Sequence, residues 1–417
     1  MFRKSCLCCG ASDLAEIIHL GMHPLADTFV PTDHQDSGDK VYPLICDFCP
    51  NCRQIQLRTI TDPEERYVKV EYSYTSSNSK TARMHWAEYA QSVTSQCAIH
   101  AGSMIVEIGS NDGFLLGQFR NLGFQIQGVE PSPAMAEIAK AQGISTENDF
   151  FTQTCSERLI SQLHGKPTLI VANNVFNHAN DPLDFVRGVK NLLGPEGTFV
   201  FELPYWLCSI EQGKFDQIYH EHVSYFTVSY AINLFKQVGM HVVRAEEVNY
   251  HGGSIRVFVR HKAEAVTDHS VAVFVAREEK ASLFSLETYR DFTARILSAR
   301  NRFLEKLYAL KSSGQHIVCV GAAAKGNTFL NFYNLDASVI DYVTDSSANK
   351  IGKYTPRTRI PIQDDQVLSS YQNVYVIILS WNLAQVLEVK LRQINPHVQL
   401  LNPYELNHEP SKNQHCD

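Results

Sequence analysis

The chain has 417 residues, enough for two or three domains that each bury a core of their own. Its net charge of -7 and pI near 6.2 supply no basic field for nucleic acid, and 19% charged with 44% hydrophobic residues is the composition of a soluble globular enzyme. No run approaches the roughly 18 apolar residues that a membrane span needs, and Met1-Phe2-Arg3-Lys4-Ser5 leads straight into cysteines without an apolar signal core, so a cytoplasmic protein is expected.

Six of the eleven cysteines come early: Cys6, Cys8, Cys9, Cys46, Cys49 and Cys52. Cys6 with Cys9 and Cys49 with Cys52 form two C-x2-C knuckles, four thiolates able to close a tetrahedral zinc site. Gly10 permits a tight turn after the first pair, Pro50 sits inside the second, and Cys8 and Cys46 remain spare ligand candidates. The other cysteines are isolated in apolar or helical contexts, which fits buried thiols in a reducing compartment. A closed four-cysteine site is usually structural, so no chemistry is assigned to it.

Between the knuckles, L-G-M-H-P-L-A-D-T-F at 20–29 precedes a solvated polar loop at 31–40. A strand is expected at 55–57 and a helix start at D-P-E-E-R-Y, 62–67. The hydroxyl-rich loop Y-S-Y-T-S-S-N-S at 72–79 leads into an amphipathic helix through Met84, His85, Trp86, Tyr89 and Val93. Its hydroxyls can cap that helix, cover a ligand, or do both, and Tyr74 and Ser77 are candidate substrate contacts.

The chain is organised around V-E-I-G-S-N-D-G at 106–113, which has the form of a strand, a glycine turn and a helix start. Glycines let backbone approach a ligand, the helix N-terminus offers free N–H groups, and an acidic residue at the strand end can hold an amine. A second strand, I-Q-G-V-E at 126–130, ends in Glu130, where a carboxylate can grip a ribose diol. N-D-F-F at 148–151 follows, and L-I-V-A-N-N-V-F at 169–176 reads as a buried strand ending in amides and an aromatic. These four stations resemble the S-adenosylmethionine-dependent methyltransferases of the Rossmann-like class; the dinucleotide alternative would want G-x-G-x-x-G, and this chain has G-S-N-D-G.

Further on, H-A-N-D-P-L-D-F at 178–185 opens a helix, a strand is expected at 198–203, and the residues from Tyr205 read as irregular. I-Y-H-E-H-V-S-Y-F at 218–226 then puts two histidines, a glutamate and two tyrosines close together, a set costly to bury without partners. A metal site, a packed polar network and acid/base chemistry compete for it; the last is preferred, with one imidazole taking a proton and a carboxylate fixing its tautomer. Y-H-G-G-S at 250–254 is a small-residue turn before a strand, able to let substrate lie against backbone.

Residues 263–276 read as a linker. From Ala281 the apolar spacing predicts one long helix stopped by Gly314. V-G-A-A-A-K-G-N at 320–327, with strands expected at 340–344 and 374–379, forms a second α/β domain whose turn carries Lys325 and lacks the dinucleotide glycines, so it is expected to meet a phosphate-bearing substrate. The basic loop with Lys350, Lys353, Arg357 and Arg359 is either a phosphate contact or solvated. Expected boundaries are a zinc-binding module at 1–70, a Rossmann-like methyltransferase core at 71–262 and a Rossmann-like α/β substrate-binding domain at 263–417.

With these pieces in place the chain resembles, nearly end to end, the sugar C-methyltransferases, which methylate carbon 3 of 4-keto-deoxysugars carried on a nucleoside diphosphate, usually dTDP. The resemblance is borne by the cysteine module with P-L-A-D-T-F at 24–29, by the turn at 106–113, by N-N-V-F-N-H at 173–178, Y-H-E-H at 219–222, H-G-G-S at 251–254 and G-A-A-A-K-G-N at 321–327. It implies His222 as the catalytic base, with Tyr219 and Glu221 beside it and His178 near the same pocket. It implies S-adenosylmethionine contacts from Glu107, Gly109, Asn111, Asp112, Gly113, Glu130, Asp149, Phe150 and Asn173; the candidate substrate contacts, read from the loops and turns above, are Tyr74, Ser77, His251, Gly253, Ser254, Lys325, Asn327 and Lys353. The cofactors implied are S-adenosylmethionine and a structural Zn2+ on Cys6, Cys9, Cys49 and Cys52.

The rival readings are an O- or N-methyltransferase, which could use the same fold and histidine, and a zinc-knuckle binding protein with an inactive methyltransferase domain. Partners are expected to be a nucleotide-sugar, with no nucleic acid and no membrane. Nothing in the chain resembles an oligomerisation heptad, which leaves the oligomeric state open, with a monomer as the working expectation.

Overall fold

A computed structural model describes residues 1–69, 75–77, 79–261 and 267–404. The chain forms two compact units, one of Met1–Glu16, Cys46–Leu207 and His222–Phe284, the other of Ile17–Ile45, Cys208–Glu221 and Ser285–Asp417. Among the described residues no helix is long and apolar enough to cross a membrane.

The first unit is built on a seven-stranded sheet. Across it the strands run His241–Val248, Ser254–Arg260, Thr198–Pro204, Leu169–Asn173, Met104–Ile108, Gln125–Val129, Thr146–Glu147. The last five are parallel; the first two form an antiparallel edge. Ile105, Val106, Leu169, Ile170 and Val171 are fully buried, as strands covered by helices on both faces must be. Helix starts carry their own punctuation: Thr152 accepts the Cys155 N–H at 3.0 Å, and Asp181, ahead of Pro182, accepts the Asp184 N–H at 2.9 Å.

The expected linker at 263–276 is corrected by the structure: His269–Lys280 is a helix, capped by Asp268. Beside buried Val271 and Phe274 its inner face carries Glu278, which is fully buried and accepts the N–H groups of Val228 and Ser229 at 2.7 and 3.0 Å and the Tyr205 hydroxyl at 3.0 Å. A carboxylate from one helix thereby satisfies the open N-terminus of another, Val228–Lys236. The segment after Tyr205, expected to be irregular, carries the short helix Trp206–Glu211.

The second unit holds an all-parallel five-stranded sheet, ordered Ile362–Gln363, Tyr342–Thr344, Ile317–Val320, Val374–Ile378, Val398–Leu401. The order reverses at Ile317–Val320, the doubly wound arrangement expected. The long helix runs Leu286–Ser312, starting after Ser285 rather than at Ala281.

Candidate active site

Met104–Ile108 ends beside the glycine turn. Gly109 takes a φ of +70°, and a Cβ on it would meet Cγ2 of Val175 at 2.2 Å, so this turn passes the neighbouring loop only as glycine. Gly113 opens helix Phe114–Asn121. The turn borders a cavity of about 290 Å³ within the first unit, lined among others by Glu107, Gly109, Asn111, Glu130, Phe150 and Asn173. Six of the nine predicted cofactor residues are therefore brought to one hollow.

The electrostatics of that hollow are unusual. Glu107 is buried and its Oε2 has no hydrogen-bond partner. Burial first, then the carboxylates of Asp112 and Glu130, hold its pKa well above the usual range. Burial also pushes Glu130 up to about 7, although its oxygens accept the N–H groups of Asn111 and Ser132, each at 2.9 Å. Asn173 accepts the Glu202 N–H at 3.1 Å and leaves its Nδ2 buried and unpartnered. An unpaired carboxylate oxygen and an unpaired amide N–H in the wall of one cavity fit a ligand that offers both a cationic amine and an acceptor oxygen.

Asp112, Gly113 and Asp149 do not line the cavity. Asp112 instead clasps the loop before the Lys80–Gln96 helix: its Oδ2 accepts the Ser77 hydroxyl at 2.5 Å and the Ser77 N–H at 3.2 Å, its Oδ1 accepts the Ser76 hydroxyl, and Asn111 Oδ1 takes the Ser76 N–H at 2.8 Å. Ser77 is thus an anchor of this loop. Asp149 is paired with Arg158 and accepts the Phe150 N–H at 2.7 Å. Tyr74 lies outside the described residues.

His178, at the end of the one-turn helix Phe176–His178, also lines the cavity. Its Nδ1 is 2.9 Å from the Tyr67 hydroxyl, and its Nε2 is buried with no partner. Burial, then His222, then Arg66, hold its pKa well below the usual imidazole range, so the ring is neutral. The His222 ring stacks on it, centroids 5.1 Å apart and planes 28° apart. His222 is 6% exposed, and it lies next to a cavity-wall residue rather than in an isolated interior.

Known proteins bearing on this arrangement span the chain. Family models match as a zinc binding domain at 6–67, a methyltransferase domain at 82–245 and a C-methyltransferase C-terminal domain at 249–398. C-methyltransferase NovU of Streptomyces niveus is 30% identical over 383 residues, 91% of this chain and 90% of that protein. The chain belongs to the C-methyltransferase family. A ubiquinone biosynthesis O-methyltransferase of Xanthomonas oryzae pv. oryzae is similar over a shorter stretch, 25% identical across 23% of this chain and 41% of that one. Among solved structures, magnesium protoporphyrin IX methyltransferase of Synechocystis PCC 6803 with bound SAH is 12% identical, covers 43% of this chain and 82% of that one, and has a TM-score of 0.33.

This C-methyltransferase is an S-adenosylmethionine-dependent enzyme, and the cavity suits that cofactor: Glu107 can accept its ammonium, Asn173 can donate to an oxygen, and Glu130 retains lone pairs for a diol. When bound, the cofactor supplies a methyl group already activated on a sulfonium.

The family's zinc fits the four cysteines. The Sγ atoms of Cys6, Cys9, Cys49 and Cys52 lie within 4.8 Å of one another; Cys8 and Cys46, though buried, are not in the group. Both knuckles close in the same way, with Gly10 N–H on Cys6 O at 3.0 Å and Arg53 N–H on Cys49 O at 2.9 Å, at φ +73° and +64°. Among the described residues no other group of histidines, cysteines and carboxylates has metal-ligand geometry, which leaves the metal reading of Y-H-E-H without support.

Other predicted residues stand elsewhere. Tyr219, half-buried, and Glu221, buried, sit in the turn that ends one segment of the second unit. His251 and Gly253 take φ +51° and +110° in their turn, where the Ser254 hydroxyl donates to Tyr250 O at 2.9 Å. In the second unit, Lys325 donates to Asn382 Oδ1 at 2.8 Å, lies 4.5 Å from the Trp381 ring centroid and is lowered to about 8 by burial. Asn327 donates to Ala26 O at 2.6 Å, a structural tie, and Lys353 is half-buried.

Tyr67 and Trp86, which also line the cavity, were missed. Capping signals place their helices, but nothing local says which way a particular ring points. Also missed was a buried network in which Glu202 accepts from Arg256 at 3.0 and 2.7 Å and meets His85 Nε2 at 2.6 Å.

Proposed function

We propose that the enzyme transfers a methyl group from S-adenosylmethionine to carbon 3 of a 4-keto-deoxysugar carried on a nucleoside diphosphate, dTDP being the expected carrier. A carbon becomes nucleophilic only once it loses a proton, and a proton beside a ketone is removable when the resulting oxyanion is stabilised. On this reading the His222 imidazole takes the carbon 3 proton, and the C–H electron pair moves into a carbon 3 to carbon 4 double bond with charge on the carbon 4 oxygen. His178 Nε2 or the Tyr219 hydroxyl donates to that oxygen. The enolate carbon then bonds to the methyl carbon as the carbon–sulfur bond breaks, and the thioether leaves with its electron pair. Glu221 would orient His222. Within the second unit, Lys325 and Lys353 are the cations proposed to meet the diphosphate, and Asn327 holds their neighbourhood.

The observation carrying this reading is the stacked pair of imidazoles at the cofactor cavity, His178 and His222 at 5.1 Å. Two neighbouring imidazoles offer a proton acceptor and a neutral donor at once, which C-methylation requires and simple transfer to a preformed nucleophile does not.

The test offers dTDP-, GDP- and CDP-linked 4-ketosugars with labelled methyl donor and locates the label by NMR. Label on carbon 3, with solvent deuterium exchanging at that carbon, is expected; label on oxygen or nitrogen without exchange would replace this proposal with the O- or N-methyltransferase reading. His222→Asn should abolish turnover and exchange while S-adenosylhomocysteine still binds.

A further inference from the structure

We propose that Tyr67 is a positioning residue that fixes the tautomer of His178, so that His178 presents an N–H, never a lone pair, to the oxygen that occupies the cavity. Two stacked imidazoles are otherwise interchangeable, and Tyr67 makes them different. The inference rests on the reading of this cavity wall as the substrate side of the site.

Three observations carry it. The Tyr67 hydroxyl is 2.9 Å from His178 Nδ1, and the two rings stack at 6.0 Å with planes 10° apart. A phenol is a stronger acid than a neutral imidazole N–H, and an imidazole nitrogen is a stronger base than a phenol oxygen, so the hydroxyl donates and Nδ1 accepts. The ring proton of neutral His178 is then on Nε2. That atom is buried and has no partner among the described residues, while the residue lines the cavity. Buried N–H groups are seldom left unpaired in folded proteins, so one here marks a place where a ligand completes the pairing.

Tyr67 is itself held. It ends the short helix Pro63–Tyr67, whose N-terminus is capped by Asp62. The preceding Arg66 donates to Asn180 Oδ1 at 2.7 Å, and Asn180 donates to Thr61 O at 3.2 Å, which ties the helix to the chain just beyond His178. Phe150 meets the Tyr67 ring edge-on at 6.4 Å. The phenol therefore has little freedom to leave Nδ1. Burial and the neighbouring His222 and Arg66 all disfavour a charged His178, which keeps it a neutral donor that does not compete with His222 for the proton.

The test is made on the full-length zinc protein saturated with S-adenosylhomocysteine and labelled with 15N-histidine. Long-range proton–nitrogen correlation should show His178, assigned by its disappearance in His178→Asn, as the Nε2–H tautomer. In Tyr67→Phe, with S-adenosylhomocysteine again at saturation and the backbone spectrum showing the same fold, it should shift toward a mixture containing Nδ1–H. With an accepted ketosugar, kcat should fall about tenfold or more while KM stays within about threefold, and adding Tyr67→Phe to His178→Asn should cost nothing further. An Nδ1–H tautomer in the unmodified protein, or one unmoved by Tyr67→Phe, overturns the inference. The spectroscopic arm needs no sugar, so failure of every ketosugar defeats the proposed substrate and leaves the Tyr67 result standing on its own.

Discussion

The backbone N–H of Leu57 donates to the carbonyl of Val223 at 2.9 Å, one residue beyond His222. Strand Ile55–Leu57 pairs on one side with Tyr42–Phe48, Cys46 opposite Leu57, and on the other with Ser224–Tyr225, Gln56 opposite Ser224. Fully buried Gln54 adds to the tie: its backbone carbonyl accepts the Cys49 N–H at 2.8 Å and its side-chain amide donates to Ser224 Oγ at 3.2 Å. The zinc knuckles thus continue by hydrogen bonds into the segment bearing the proposed base. Removing zinc with a chelator, or replacing Cys49 by Ala, should lower turnover about 100-fold or more, since a misplacement of about 1 Å suffices for that. S-adenosylhomocysteine binding, measured by calorimetry, should survive; if turnover survives as well, the knuckles do not position His222.

The contribution of Glu130 to the stability of the cofactor-free protein should fall as pH rises. Glu130 holds its proton up to about 7 when folded, against 4.5 as its ordinary value, because burial penalises the charge. Below 4.5 both folded and unfolded forms are protonated and there is no penalty. Between 4.5 and 7 only the unfolded form gives up its proton, so about 3 kcal/mol of stability is lost across that window. Urea melts at several pH values should show this as a difference between the unmodified protein and Glu130→Gln that changes by about that amount between pH 4.5 and 7, and Glu130→Gln should weaken S-adenosylhomocysteine binding.

Gly109→Ala should be severe. A left-handed alanine costs about 1–2 kcal/mol on its own, and its Cβ would sit 2.2 Å from Val175 Cγ2. Loss of cofactor binding with a lowered melting temperature is expected, and a second substitution, Val175→Ala, should recover part of both by removing the clash.

Arg256→Met should destabilise by about 3–5 kcal/mol, because it strands a buried carboxylate. Glu202 is fully buried, and its Oε2 depends on the two Arg256 bonds. Thermal melts read the effect; replacing Glu202 and Arg256 together by apolar residues of similar size should cost less than the single change.

Much of this was legible in the chain because it is local. The knuckles, the turn at 106–113 and the helix start at Asp181-Pro182 are set by residues a few positions apart, where backbone conformation and side-chain reach decide the outcome. Even the second α/β unit could be read from short apolar strands ending in small-residue turns. The helix His269–Lys280 escaped because fully buried Glu278 stands where an apolar residue would complete the spacing, and its reason for being there lies at Val228 and Ser229.

Tertiary structure alone decided the pairings that give the site its character. Tyr67 and His178 are 111 positions apart and His85 and Glu202 are 117 apart, so no periodicity or spacing links them. Composition showed which groups were available for chemistry. Which of them end up unpaired in the cavity wall, and which are consumed in holding the protein together, depends on where the burial of distant apolar segments happens to bring polar atoms within hydrogen-bonding reach, and that distance exists only in the folded chain.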